Sequence, residues 1–198
     1  MARSIDLAAR KAQLAEAVWQ VILDRGISAV SVRTVAEQAG VVVGSLRHVF
    51  PTRAELLSFS AELMVQRATE RVVATPWSDE TEKYAVDVIR QLLPLEPDSR
   101  AELEVNLALI AEAPAQPDLR DIRDHAHAQL REVCIRLVEL VSGRDRDATV
   151  VTTARRLHAL IDGLAVHILH GDADDGEWAV AILRDEISHI AAGSAANP

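Results

Sequence analysis

The 198-residue chain holds one cysteine, Cys134, which excludes an intramolecular disulfide and fits a reducing compartment. Aromatic residues make up 3% of the chain, too few to suggest an aromatic cage for a quaternary amine, although Trp77 and Trp178 remain candidates for one. No uncharged apolar run approaches the ~20 residues that a membrane span needs. Residues 1–25 mix charge with apolar periodicity and contain no signal-peptide core. Together these absences predict a cytoplasmic protein without a membrane partner. Phosphate loop, nucleophile elbow, CxxC and HExxH motifs are all missing, so neither catalysis nor a cofactor is expected.

What is present is 49% hydrophobic and 26% charged, the composition of a folded globular protein. Valine and isoleucine recur mostly at helical spacing, which predicts an all-α fold. The net charge of −9 is unevenly placed. Residues 1–57 carry seven cations against five anions, and the remainder carries 14 against 25. A basic head on an acidic body fits a nucleic-acid partner better than the total does.

The punctuation predicts nine helices. Leu7, Leu14, Val18, Val21 and Ile22 form one face of a first helix over 5–25, stopped by Gly26. Ser31 caps a second, to about Gln38, and Gly40 supplies the turn before a third over 43–49. Pro51 ends that helix, and Thr52 with Glu55 forms a capping box that opens a fourth, to about Val73. A fifth helix is expected over 79–93, and a sixth over 100–112, opened by a Ser99–Glu102 box with Leu103, Leu107 and Ile110 inward. A seventh covers about 117–141, an eighth 148–169, and a ninth runs from Asp174 and Glu177 to about Ala192.

Helices two and three form a helix-turn-helix, whose second helix enters the major groove with its N-terminal residues at the base edges. Those residues are Val42, Val43, Gly44 and Ser45. Val43 could sit on a thymine methyl, and the Ser45 hydroxyl could pair with base or phosphate. Arg33, Arg47, His48 and Arg53 would hold phosphates, with Thr34 and Thr52 completing the DNA-facing set. The bland alternative is a three-helix subdomain with no DNA role.

The run TVAEQAGVVVGSLRHVFPTRAELL resembles the signature of the TetR (tetracycline-repressor-like) family of bacterial transcriptional regulators. Ala36, Ala39-Gly40-Val41, Gly44-Ser45-Leu46, Phe50 and Glu55-Leu56-Leu57 carry the match. Val42 departs from the usual hydroxyl residue, Arg47 from the usual tyrosine, and Val49 from the usual histidine or tyrosine. Arg53 stands where lysine is common. The segment Leu157–Leu169, LHALIDGLAVHIL, is similar to the eighth helix of the BetI-like subgroup. The resemblance implies a DNA-binding part over 1–52 and a ligand-binding, dimer-forming part over 53–198. It also implies a homodimer on a palindromic operator, most often as a repressor released by a small molecule.

Ala154, Leu157, Ile161, Leu164, Ala165 and Ile168, with Ala179, Leu183, Ile187 and Ile190, offer more apolar surface than one small bundle readily buries. Leu157, Ile161, Leu164, Ile168, Leu183 and Ile187 are therefore the expected dimer contacts, with ordinary core as the alternative. For the effector pocket, polar residues on apolar faces point to Asn106, Cys134, His158 and Asp162, with Leu107, Ile110 and Leu130 beside them. Each could instead be a satisfied core group or a surface pair. Asp121, His125 and His127 sit close in sequence, but His125 and His127 face different ways, so a solvated face is expected rather than a metal site. A helical small-molecule-binding or enzymatic bundle with a vestigial helix-turn-helix is the alternative function.

Overall fold

The computed structural model describes the backbone of residues 2–171 and 176–195, and the side chains of 9–171 and 176–193. Leu7's side chain and Asp174 lie outside the described residues. Among those described, there are nine α-helices and no strand: α1 (Ala2–Arg25), α2 (Val32–Gln38), α3 (Val43–Val49), α4 (Arg53–Val73), α5 (Thr81–Arg90), α6 (Pro97–Glu112), α7 (Pro117–Ser142), α8 (Ala148–His170) and α9 (Glu177–Ala195). Short 3-10 turns at Ile27–Ala29 and Ala113–Ala115 complete the order.

Local chemistry explains the boundaries. Ser31 is in extended conformation, and its hydroxyl accepts from the Thr34 backbone N–H. Thr34 Oγ1 accepts from the Ser31 N–H in return, so two N–H groups that the helix leaves open are satisfied. Thr52 Oγ1 likewise accepts from the Glu55 N–H at 3.2 Å, opening α4. The Asp147 carboxylate accepts from Val150 N–H at 2.7 Å and opens α8.

The Ser99–Glu102 box is corrected. Helix α6 begins at Pro97, and Ser99 Oγ accepts from the Glu96 N–H at 3.0 Å. Ser99 is thus the residue that reaches back, and proline, lacking an N–H, starts the helix. Helix α5 is shorter than expected, and Leu93 is buried beyond its end.

Packing divides the chain into two compact units, Met1–Arg67 with Ala101–Asp124, and Ala68–Arg100 with His125–Pro198. The division falls inside α4 rather than between residues 52 and 53. The reason is that Leu56, Leu57, Ala61 and Met64 join Leu14, Val18, Val35, Leu46 and Phe50 in one core, which Val105, Leu109 and Leu119 also enter. In the second unit α5 and α8 both pack on α9. Ile89, Cys134, Val138, Leu157, Leu183 and Ile187 are among its buried side chains.

Candidate nucleic-acid interface

The turn between α2 and α3 is built on Gly40, whose φ is +67°. Its N–H bonds to the Glu37 carbonyl, and the Val41 N–H reaches back to the Ala36 carbonyl at 2.9 Å. This pair of bonds is the Schellman motif, which ends α2 and turns the chain across it. Leu46 is fully buried and Phe50 nearly so, which anchors α3 on its inner side. Truncating a leucine so placed costs ~2–5 kcal/mol.

The outer side is open. Val42 is 75% exposed and Val43 36%, and Gly44, Arg47 and His48 are also exposed, as is Arg33 on α2. Val42 is the N-cap of α3, in extended conformation, with no side-chain acceptor for the N–H groups behind it. The apolar, unblocked start of α3 therefore stands clear of the first unit's core. Ser45 is half-buried, and its hydroxyl accepts from the Arg10 guanidinium.

Arg10 on α1 is thus a cation at the start of α3 that sequence reasoning missed. Its signal was available, since it lies off the apolar stripe of the first helix. Lys11, one residue on, stands 5.6 Å from the Phe50 ring centroid and 5.5 Å from that of Phe59. That cation–π contact ties α1 to the end of α3.

Thr34 and Arg53, both expected at DNA, are committed to partners within the fold. Thr34 Oγ1 donates to the Ala29 carbonyl at 2.7 Å as well as accepting from Ser31 N–H, so its hydroxyl serves the cap. Arg53 is turned inward: Nε donates to the Val30 carbonyl at 3.0 Å, one Nη to the Ile27 carbonyl at 3.0 Å, and the other to Glu112 Oε1 at 2.7 Å. Arg53 was expected to hold phosphate because it is a cation at a helix start. The fold gives it three acceptors of its own. Thr52 is exposed and uses an oxygen lone pair in its cap, which leaves its hydrogen to donate.

The expected effector residues belong to both units. Asn106, Leu107 and Ile110 are exposed in the first unit, where Val105 and Leu109 are the buried positions of α6. The inward face is rotated from the expected one. In the second unit, Leu130 is half-buried, Cys134 is fully buried, and His158 Nε2 lies 3.6 Å from Asp162 Oδ2. The His127 ring, assigned to a solvated face, lies 4.6 Å from that of His158.

Burial lowers the His158 pKa, the charges of His127 and Arg131 push the same way, and Asp162 opposes them. Burial, reinforced by the Asp162 charge, pushes the Cys134 thiol up to about 12. A cleft of about 460 Å³ in the same unit is lined by Arg144, Arg156, Glu186 and His189 among others, and by none of the expected effector residues. Among the described residues, no three His, Cys, Asp or Glu side chains converge as metal ligands would, and no helix is long and apolar enough to cross a membrane.

The dimer assignment is also corrected. Leu157, Ile161, Leu164, Ile168, Leu183 and Ile187 are each 5% exposed or less within a single chain. They are core, already buried without a partner. The large apolar side chains that α8 and α9 leave exposed are Val166, at 38%, and Ile182, at 42%.

Residues 11–58 match the family described as bacterial regulatory proteins, tetR family, and residues 83–192 match the C-terminal part of BetI-type transcriptional repressors. The chain is 35% identical over 174 residues to the HTH-type transcriptional regulator PksA of Bacillus subtilis (strain 168), covering 85% of this chain and 83% of that one. It is similar to the crystal structure of a transcriptional regulator from Rhodococcus sp. Rha1, with a TM-score of 0.82 and 27% identity over 92% of this chain and 96% of the other. A regulator from Saccharomonospora viridis, crystallised in complex with choline, has a TM-score of 0.79 and 25% identity over 92% and 97%. These relatives are regulators and not enzymes, and the site described above is a helix-turn-helix. The chain belongs to the TetR family of bacterial transcriptional regulators, of the BetI-like kind, and is a DNA-binding regulator.

Proposed function

We propose that this regulator represses transcription as a homodimer on a palindromic operator and is released by a small molecule. The observation that carries the reading is the exposed, unblocked start of α3, held outward by Leu46 and the Gly40 turn. In this reading Val42, Val43, Gly44 and Ser45 face base edges in the major groove. Arg10, Arg33, Arg47, His48 and the Thr52 hydroxyl hold phosphates and set register. Functionally, residues 1–52 read DNA, and residues 53–198 receive the effector and the partner subunit. The protein works in the cytoplasm, where its operator is.

A two-fold dimer places two copies of α3 in successive major grooves, ~34 Å apart. Its contact face is the one that α8 and α9 leave open, with Ala159, Gly163 and Val166 at helical spacing on α8 and Ile182 on α9. An isologous pairing of that face is what a two-fold axis requires. The BetI-type match over residues 83–192 supports an effector-binding body. The pairing of His158 with Asp162, beside His127 and Cys134, is the proposed polar part of the effector site. Asp162 is the carboxylate that would meet a cationic effector such as the choline bound by the Saccharomonospora relative. A ligand releases DNA to the extent that it binds the released conformer more tightly than the bound one.

The test is selection of bound sequences from random DNA, followed by anisotropy titration on the selected site. Salt-sensitive, two-fold symmetric binding is expected, with a slope that flattens when Arg33 or Arg47 is replaced by Ala. Recovery of no preferred sequence would refute the reading.

A further inference from the structure

Arg53 and Glu112 lie 59 positions apart, yet their side chains meet at 2.7 Å within the first unit. The other two bonds of Arg53 end on the carbonyls of Ile27 and Val30. Val30 immediately precedes Ser31, the N-cap of α2. No residue of the 3-10 turn Ile27–Ala29 is fully buried, although Ile27 and Ala29 pack against the core that Val30 enters. Side-chain hydrogen bonds add to that packing: Thr34 donates to the Ala29 carbonyl, and Arg53 to those of Ile27 and Val30.

Glu112 completes the node from the last residue of α6, and Gln116 Nε2 donates to the same carboxylate oxygen at 3.2 Å. The Arg53 hydrogen bond holds the Glu112 pKa below the ordinary carboxylate value, and the Gln116 bond adds to this.

We propose that Arg53 and Glu112 are positioning residues for DNA recognition: the pair fixes the entry to α2, and through it the setting of α3, rather than gripping phosphate. This rests on the reading of α3 as the recognition helix. It follows that removing an acidic residue, Glu112, weakens binding to a polyanion, the opposite of what charge alone requires. Arg53, its charge balanced by Glu112, adds nothing to counterion release.

The experiment compares Arg53→Ala, Arg53→Lys, Glu112→Ala and Glu112→Gln in the full-length chain. Affinity for the selected operator is measured by anisotropy across a salt series. Glu112→Ala is expected to lose about tenfold in affinity, the size of one charge-assisted hydrogen bond. Arg53→Ala should lose more, with Arg53→Lys recovering part of it. In every variant the slope of log K against log salt stays at the wild-type value. Loss of a true phosphate contact would instead change that slope by about 0.9.

Two results overturn the proposal: Glu112 variants that bind as tightly as wild type or tighter, or a slope that flattens by about 0.9 in Arg53→Ala. If Arg53→Ala fails to fold, Glu112→Gln decides alone, since it removes the charge and keeps the shape. Failure of the wild-type chain to select any DNA would sink the recognition reading itself, and shows before any substitution is made.

Discussion

The start of α3 invites one substitution with a calculable result. Val42 has the extended backbone of an N-cap (φ −72°, ψ 140°) but offers no acceptor, while Ser31 and Asp147 in the same role each accept a backbone N–H. Because Val42 is 75% exposed, shortening it forfeits little apolar burial. Val42→Ser should therefore stabilise the first unit by ~1 kcal/mol relative to Val42→Ala, the usual worth of a serine cap.

Trp19, buried in that unit's core, reports its unfolding once exposed Trp77 and half-buried Trp178 are replaced by Phe. With a urea slope of ~2 kcal/mol per M, the midpoint should move up by ~0.5 M. Val42→Thr should follow with a smaller gain. The same substitution trades an apolar contact for a hydroxyl at the proposed base-facing edge, so sequence preference should change at one position of each half-site. Equal midpoints for Val42→Ser and Val42→Ala would refute the reasoning, because residue 42 would then not be an open cap.

Three further outcomes test the second unit. Cys134, fully buried with its thiol pushed up to about 12, should resist a thiol reagent in the native protein and react fully in urea; rapid native labelling would contradict this burial. His158 is held below its ordinary value of 6.5, chiefly by burial, so folding favours the neutral ring. Its contribution is complete above 6.5 and is lost as pH falls from there toward the folded value, giving a decline in urea stability that His158→Gln should flatten. Parallel decline in both proteins would rule that out. Ile182→Arg, which disturbs no core because Ile182 is 42% exposed, should convert a dimer to a monomer in sedimentation while leaving helix content unchanged. A dimer that survives it would place the interface elsewhere.

Where local chemistry decides, the sequence was legible. Ser31, Gly40, Pro51 and Thr52 each act within about four residues, so α2, α3 and the start of α4 could be read from them. Periodicity failed where it does not choose a face. Leu103, Val105, Leu107, Leu109 and Ile110 spread around α6, and only packing shows that Val105 and Leu109 go inward. It also cannot name the neighbour that buries a stripe. By pattern alone the apolar faces of α8 and α9 are surplus for a partner, but one chain already buries them.

Arg53 shows a third kind of limit, since residue type gives charge but not direction. Its acceptors lie 23, 26 and 59 positions away, beyond any local pattern. Yet the departure from the family's usual lysine does have a meaning once the fold is known. The two carbonyls and the carboxylate together engage Nε and both Nη atoms, an arrangement that a planar guanidinium fork can serve. A lysine ammonium is a single point on a flexible stem and could satisfy one of them well. The arginine thus belongs with Glu112 as a unit.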